Sequence, residues 1–402
     1  MPGFELIGDR EREQVNDVLD TGILFRYEFP NERKGIYKVK EFESAFSKFV
    51  GTRFAHAVTS GTSALKVALV SLGVKPGDEV ITQGFTFVAT FEAIIECGAI
   101  PVPVEIDDTL NMDPRDLEDK LSPRTKVIVP VHMLGGPARM LEIKEIAEKR
   151  GLRVLEDTAQ ALGGSVNGKI TGGIGDCGTY SFDFYKTITT GEGGMIVTND
   201  PQIYKTASEY SDHGHDHNPD VGRALEGRSF LGFNYRMNEL QGAVGLAQLG
   251  RLPDILKIQD RNHSIIAEAM NQVTGVQMRA IPENARDSHT HVCFFFPEGA
   301  HAIEFHKKVS SKGITAISFK NNLWHFLGNW EHLIGMKTAW PGEFPFGKPY
   351  YNEKIQYSSD TLPATAKWLK RLIVIPVSLR TTLEDAGRIA GELRQAAFET
   401  LR

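Results

Sequence analysis

Three cysteines in 402 residues, Cys97, Cys177 and Cys293, are too scattered for a disulfide framework, a metal site or an iron–sulfur motif. No apolar run approaches the roughly 18–20 residues that a membrane-spanning helix needs. The opening stretch lacks the basic-then-apolar layout of a secretory signal. A basic surplus is missing too: 45 Lys and Arg face 51 Asp and Glu, for a net charge of −6. That balance argues against a nucleic-acid surface or a basic membrane patch. Internal repeats and low-complexity tracts are absent. The expectation is a cytosolic protein with neither nucleic acid nor membrane as partner. What is present is an ordinary globular composition, 41% hydrophobic and 24% charged. The length suits two domains.

Residues 9–20 read as a short helix, followed by an irregular aromatic segment at 22–27. Residues 38–50 place Val39, Phe42, Phe46 and Val50 at helical spacing and stop at Gly51. From Phe54 short apolar runs alternate with helices, beginning FAHAV, a helix from Gly61, EVIT and a helix through Phe91. PVPVEI, a helix near 113–121, KVIVPVH, a helix near 141–150 and RVLED follow. This predicts an α/β domain over residues 1–252, built on a mostly parallel sheet. Ligands of such sheets bind at the carboxyl ends of strands. His56, Gln83, His132, Asp157 and Ser181 all lie at or beside predicted strands, so only some can be site residues. After Gly250 the alternation breaks, and residues 253–273 read as a helix leaving the large domain. HVCFFF, a helix from Ala302, TAISF, RLIVIPV and a helix from Thr382 predict a smaller α+β domain over 253–402. An aromatic, Pro- and Gly-rich insert occupies 320–357.

The chemistry concentrates in residues 152–199, read as strand, short helix, Gly-rich loop, strand, a turn carrying Lys186, a Gly pair and a last strand. Asp157 ends the first strand. A buried carboxylate needs a cationic partner, which a protonated pyridine nitrogen supplies; the alternative is a cap for a helix at 159–162. Strand alternation turns Glu156 to the other face. Lys186 follows an apolar strand and precedes a Thr/Gly run. An amine depressed in pKa by burial forms a Schiff base readily, whereas a lysine taken at random is a solvated surface charge. Ser60-Gly-Thr-Ser-Ala-Leu65 opens a helix after a strand, as a phosphate cradle or an ordinary cap. It lacks the Gly-Lys-Ser/Thr ending of a Walker loop. The histidine-dense loop at 212–217 reads as solvated or substrate-facing, since zinc prefers spaced ligands on rigid elements. No metal is expected.

In their order along the chain these stretches resemble the DegT/DnrJ-type sugar aminotransferases, a branch of the fold-type-I pyridoxal-phosphate (PLP) enzymes. The ordered set includes Ser60–Leu65, Pro76-Gly-Asp-Glu-Val80, Phe85-Thr-Phe-Val-Ala-Thr90 and Gly98-Ala-Ile-Pro101. It continues through Pro130-Val-His132, Glu156-Asp157 with Gln160, Ser181-Phe with Lys186-Thr, Gly191-Glu-Gly-Gly194 and Gly232-Phe-Asn-Tyr-Arg-Met237. The resemblance implies Lys186 as the Schiff-base lysine, Asp157 as partner of the pyridine nitrogen, Gln160 at the phenolic oxygen and Phe87 on the ring. Thr62, Ser63 and Ser181 would hold the phosphate. Asn234 would reach the phosphate of a second subunit's cofactor, which implies a homodimer with shared active sites. Dehydratase members carry histidine in place of the lysine, so Lys186 favours transamination. Asp183 departs from the family's Ser-Phe-His-x-x-Lys. Within the family, the insert, residues 1–5 and residues 24–27 resemble the branch that makes 8-amino-3,8-dideoxy-manno-octulosonate, an amino sugar acid of lipopolysaccharide. That branch uses the 8-oxo compound and L-glutamate. The acid's carboxylate would meet Arg26, Arg236 or His325. The alternatives are a nucleotide-linked keto-hexose as acceptor, and an insert that is only a flap packed on its own aromatics. A non-catalytic regulator of the same fold is disfavoured by the acidic charge and the lack of a DNA-binding appendage.

Overall fold

Val127, Ile128 and Val129 show how the central sheet is built. Val127 and Val129 pack with Leu65, Ile94 and Leu155 on one face, while Ile128 packs with Ile143 and Val154 on the other. Successive side chains of a strand point to opposite faces, and a sheet covered on both sides is apolar throughout. Each such side chain taken fully from water contributes about 1.5–3 kcal/mol. The computed structural model describes residues 3–319, 322–339, 344–352 and 355–402. Residues 1, 2, 320, 321, 340–343, 353 and 354, which entered the resemblance above, lie outside them.

Seven strands form the sheet in the order Phe54–Val58, Gly194–Thr198, Cys177–Ser181, Arg153–Asp157, Thr125–Val129, Glu79–Gln83, Ile100–Val104. All pairings are parallel except those of Gly194–Thr198, which runs antiparallel to both neighbours. The fold is the expected α/β architecture with a mostly parallel sheet. Asp157, the last residue of its strand, pairs with Thr179, two residues before Ser181 ends the neighbouring strand, which brings Ser181 and the turn after it to the same edge.

Three local expectations are corrected. The expected helix at 253–273 begins much earlier and runs from Glu239 to Asn271 without a break at Pro253. Its first turns contain Gly242 and Gly245, poor helix formers by about 1 kcal/mol each. A Cβ on Gly242 would lie 2.6 Å from the Val39 nitrogen, and one on Gly245 would lie 2.5 Å from the Phe42 ring. Close packing against the helix Lys38–Val50 therefore overrides propensity. Residues 159–162 form turns rather than a helix. TAISF forms no strand; it supplies only the single bridge Ile317–Val374.

Beyond the long helix, His291–Phe295 pairs antiparallel with Leu372–Pro376. The helices Gly299–Ser311 and Leu383–Thr400 pack with this sheet around Phe294, Phe305, Ile373 and Leu393. The insert is not a flap resting on its own aromatics. Phe326, Leu327, Trp330, Phe346, Tyr351 and Tyr357 join Phe85 and Phe91 in one buried cluster. The Trp330 ring meets Phe91 edge-on at 5.2 Å. The Tyr357 hydroxyl donates to the Pro101 carbonyl at 2.7 Å. The stretch 324–327 lies along the loop bearing Phe87: Thr86 N–H donates to the His325 carbonyl, Val88 N–H to that of Trp324, and Leu327 N–H to that of Gly84. Among the described residues no helix is long and apolar enough to cross a membrane.

Candidate active site

Of the five polar residues at or beside strands, three are consumed by the scaffold. Gln83 accepts from Met112 and Val131 N–H and donates to the Phe85 carbonyl. His56 bonds Ser211 at 2.7 Å. His132 bonds Glu156 at 3.0 Å and accepts from Ala138 N–H. Glu156 faces away from Asp157, as alternation required, and gathers the Gly-rich loop by accepting from the amides of Gly172, Ile174 and Gly175. Asp157 and Ser181 remain for the site.

Asp157 is buried, with one carboxylate oxygen accepting from the Thr90 hydroxyl at 2.9 Å and the other from Ala159 N–H at 3.1 Å. Burial raises its pKa above the ordinary aspartate range, against the opposing pull of those two bonds and of Lys186. Lys186 sits on a turn after the strand Cys177–Ser181. Its N–H donates to the Asp183 carbonyl at 3.0 Å. Asp183, the departure from the family's histidine, closes this turn by accepting from Tyr185 N–H at 3.0 Å. Phe182 anchors it below, against Phe42 and Phe46. Burial lowers the pKa of the Lys186 amine, and Asp183 and Asp157 offset part of that shift. A nucleophilic amine requires this direction.

The helix Gly61–Ser71 begins beside this turn. Ser60 and Ser63 form a reciprocal capping box, with Ser63 N–H on the Ser60 hydroxyl and Ser60 N–H on the Ser63 hydroxyl. The Ser63 hydroxyl thus serves the helix start itself. Thr62 is exposed at the second helical position, where amides precede the first intrahelical bonds and attract anions. A Cβ on Gly61 would lie 2.7 Å from that of Ser181, and one on Gly194 would lie 2.2 Å from the Ser60 carbonyl. Only glycines let these three segments close into a cradle.

Gln160 accepts from Leu134 N–H at 3.1 Å, which fixes its carbonyl and leaves the amide NH2 as the outward donor. The Leu134 loop is clamped by a residue that sequence reasoning missed. Arg279, fully buried, donates to the carbonyls of Met133 and Leu134 and pairs with Asp287. Nothing in its local sequence marks it, because its partners lie far away along the chain. Asp287→Ala leaves that guanidinium buried without a counter-charge. The expected loss is about 3–5 kcal/mol of stability, read from denaturant unfolding, with Asp287→Asn milder.

Phe87 is 36% exposed, with the Trp324 ring parallel to it at 5.9 Å and His325 at 5.5 Å. Burial and the Lys186 cation push the His325 imidazole down to about 4. At pH 7 it therefore offers a carboxylate an N–H rather than a positive charge. The Arg26 guanidinium is buried on Glu43 at 2.7 Å and on the Ala57 carbonyl, so its charge is already matched within the fold. Arg236 shares the buried Asp212 carboxylate with Arg223, each at 2.6 Å. This network also overturns the solvated reading of the histidine loop, since Asp212 and His215 are buried and His215 bonds Glu226 at 2.6 Å. Among the described residues no cluster of His, Cys, Asp and Glu has a metal-site arrangement. Asn234 is exposed and accepts from Arg236 N–H.

The donor set fits PLP. An uncompensated buried carboxylate, a half-buried lysine of lowered pKa, an outward amide donor and a helix-start cradle converge on one edge of the sheet. When bound, the cofactor withdraws electrons from a carbon attached to the transferred nitrogen. With that group bound, Asp157 would be placed to keep the ring nitrogen protonated and the Lys186 amine to move a proton.

The model of the DegT/DnrJ/EryC1/StrS aminotransferase family matches residues 6–394. The chain is 43% identical over 224 residues to GDP-perosamine synthase of Caulobacter vibrioides, a match spanning 56% of this chain and 59% of that protein. It is 34% identical over 396 residues to the spore coat polysaccharide biosynthesis protein SpsC of Bacillus subtilis, covering 97% and 95%. The crystal structure of 3-amino-5-hydroxybenzoic acid synthase superposes with a TM-score of 0.80 at 28% identity, covering 98% and 97%. With the fold, the donor set and these likenesses together, the chain belongs to the DegT/DnrJ/EryC1/StrS family of sugar aminotransferases and is a PLP-dependent transaminase.

Proposed function

We propose that the enzyme moves the amino group of L-glutamate to the carbonyl of a sugar, working in the cytosol as a homodimer. The observation that carries this reading is the meeting of Asp157, Lys186 and the Gly61 cradle at one sheet edge. Lys186 is its Schiff-base residue, and Thr62, Ser63, Phe87, Gln160 and Ser181 surround the cofactor. Ser63 acts through the cap that it closes. Leu231 and Phe233, 94% and 52% exposed, flank Asn234 in sequence, and with exposed Leu24, Phe29 and Leu225 they supply apolar area for a second copy. In that assembly Asn234 reaches the neighbour's phosphate. Residues 1–252 form the cofactor domain and 253–402 the second domain, joined by the helix Glu239–Asn271.

Two acceptors are in contention. The insert's resemblance nominates the 8-oxo-3,8-dideoxy-manno-octulosonate of lipopolysaccharide synthesis. A nucleotide-linked keto-hexose is favoured by the likeness to GDP-perosamine synthase. It is also favoured by the state of the three residues expected to meet a carboxylate: Arg26 and Arg236 face Glu43 and Asp212, and His325 is neutral. Incubation with glutamate and each candidate, followed by mass detection of the amino product, separates them. Amination of neither sugar refutes the acceptor class. Trp324 is 61% exposed beside Phe87. If it faces the acceptor, Trp324→Ala raises the sugar's KM by about 3–10-fold and leaves the glutamate half-reaction unchanged.

A further inference from the structure

We propose that the N-terminal segment Gly3–Leu6 is a positioning strap for Lys186, tying the lysine turn to the second domain; this rests on Lys186 being the cofactor lysine. Gly3 N–H donates to the Lys186 carbonyl at 2.8 Å. The contact is too close for any other residue: a Cβ on Gly3 would lie 2.8 Å from the Thr187 carbonyl oxygen and 2.9 Å from the Ile188 Cα. The next residue, Phe4, stacks on Phe184 with centroids 4.3 Å apart and planes within 7°. The lysine turn is thus held by a backbone bond at residue 186 and by an aromatic stack two residues earlier.

The other end of the strap is fixed elsewhere. The Glu5 carboxylate accepts from the Ser378 hydroxyl at 3.0 and 2.9 Å and from Leu379 N–H at 2.6 Å. Those residues follow the strand Leu372–Pro376 of the second domain. Past Leu6 the chain is pinned again, because Glu11 accepts from Gln248 and Arg251 of the long helix. A segment this short, anchored on three sides, transmits the place of the second domain to the lysine backbone. Apart from the Tyr185 N–H bond to Asp183, the turn gives residues 184 and 185 little packing of its own, since both Phe184 and Tyr185 are exposed. Reacting groups held loosely lose rate steeply, up to about a hundredfold for a displacement near 1 Å.

The full-length, PLP-loaded enzyme is compared with Phe4→Ala, Glu5→Ala and the double variant. Amide hydrogen exchange over residues 183–188 is expected to rise by about tenfold or more in the double variant. The pH midpoint at which the bound cofactor's visible band titrates moves by more than about half a unit as the amine's surroundings loosen. The turnover number falls on the order of tenfold, with glutamate KM within about twofold. Phe4→Tyr, which keeps the stack on Phe184, leaves all three at their wild-type values. If the double variant does not fold, Phe184→Ala removes the same stack and is read in the same way. Exchange and titration midpoint unmoved in a folded variant overturn the strap, whatever happens to thermal stability. Failure of the underlying reading looks different: Lys186→Ala would then still bind PLP covalently.

Discussion

Lys186→Ala is expected to abolish covalent attachment of PLP, so that borohydride no longer fixes the cofactor and the violet-edge band is lost. Transamination falls by a factor on the order of 10²–10⁴, the usual worth of a positioned proton carrier. The physical basis is that burial pushes the pKa of this amine below the ordinary lysine range. The sign has a second consequence. In the unfolded chain the lysine keeps its proton up to about pH 10.4. The folded, cofactor-free chain gives that proton up at lower pH. The unfolded state therefore binds more protons between the lowered value and the ordinary one, and stability rises with pH across that window. Lys186→Met flattens this slope. PLP attachment to the wild-type apoprotein reaches its plateau at a lower pH than attachment to an exposed lysine. Borohydride-stable PLP in Lys186→Ala would reassign the lysine.

Asp157→Asn keeps the shape of the site and removes the charge. The amide still accepts from the Thr90 hydroxyl or Ala159 N–H, so folding and Lys186 attachment are expected to survive. A neutral side chain no longer favours a protonated ring nitrogen. The glutamate-driven bleaching of the visible band then slows by about 10²–10³-fold, the scale of one lost electrostatic stabiliser in a water-poor site. The variant should also lose part of its pH sensitivity. The wild-type carboxyl is raised by burial in the cofactor-free chain, so ionising it costs stability there. That cost is absent below the ordinary aspartate pKa and grows as pH rises through the window up to the raised value, where the unfolded chain holds fewer protons. In Asp157→Asn this part of the apoprotein's stability profile is flat. Equal single-turnover rates for the two proteins would remove Asp157 from its role.

The legible parts of the site are those whose signals are local. A strand ending in Glu-Asp turns one carboxylate toward the ligand edge and the other toward the Gly-rich loop, because alternation has period two. The Ser60–Ser63 cap is readable because capping partners lie three residues apart. Arg279 was invisible for the opposite reason: its value comes from carbonyls at Met133 and Leu134, nearly 150 positions away. The surroundings of Arg26 and His325 were not legible because residue type alone does not reveal a partner. The Arg26 guanidinium is paired with Glu43, and burial and Lys186 lower the pKa of the His325 imidazolium to about 4.

By itself, then, the order of residues determined the α/β alternation and singled out Lys186, the aspartate at a strand end and the Gly-rich helix start as candidates. Each follows from periodicity, backbone freedom or short-range capping. Only the tertiary structure decided where the long helix begins, because Gly242 and Gly245 make sense solely against Val39 and Phe42. Only it decided that the aromatic insert packs into the core beside Phe87, and that Gly3 and Glu5 reach Lys186 and Ser378. These contacts join residues hundreds of positions apart. Burial and pairing energies depend on what arrives from the other side, which no window of sequence contains.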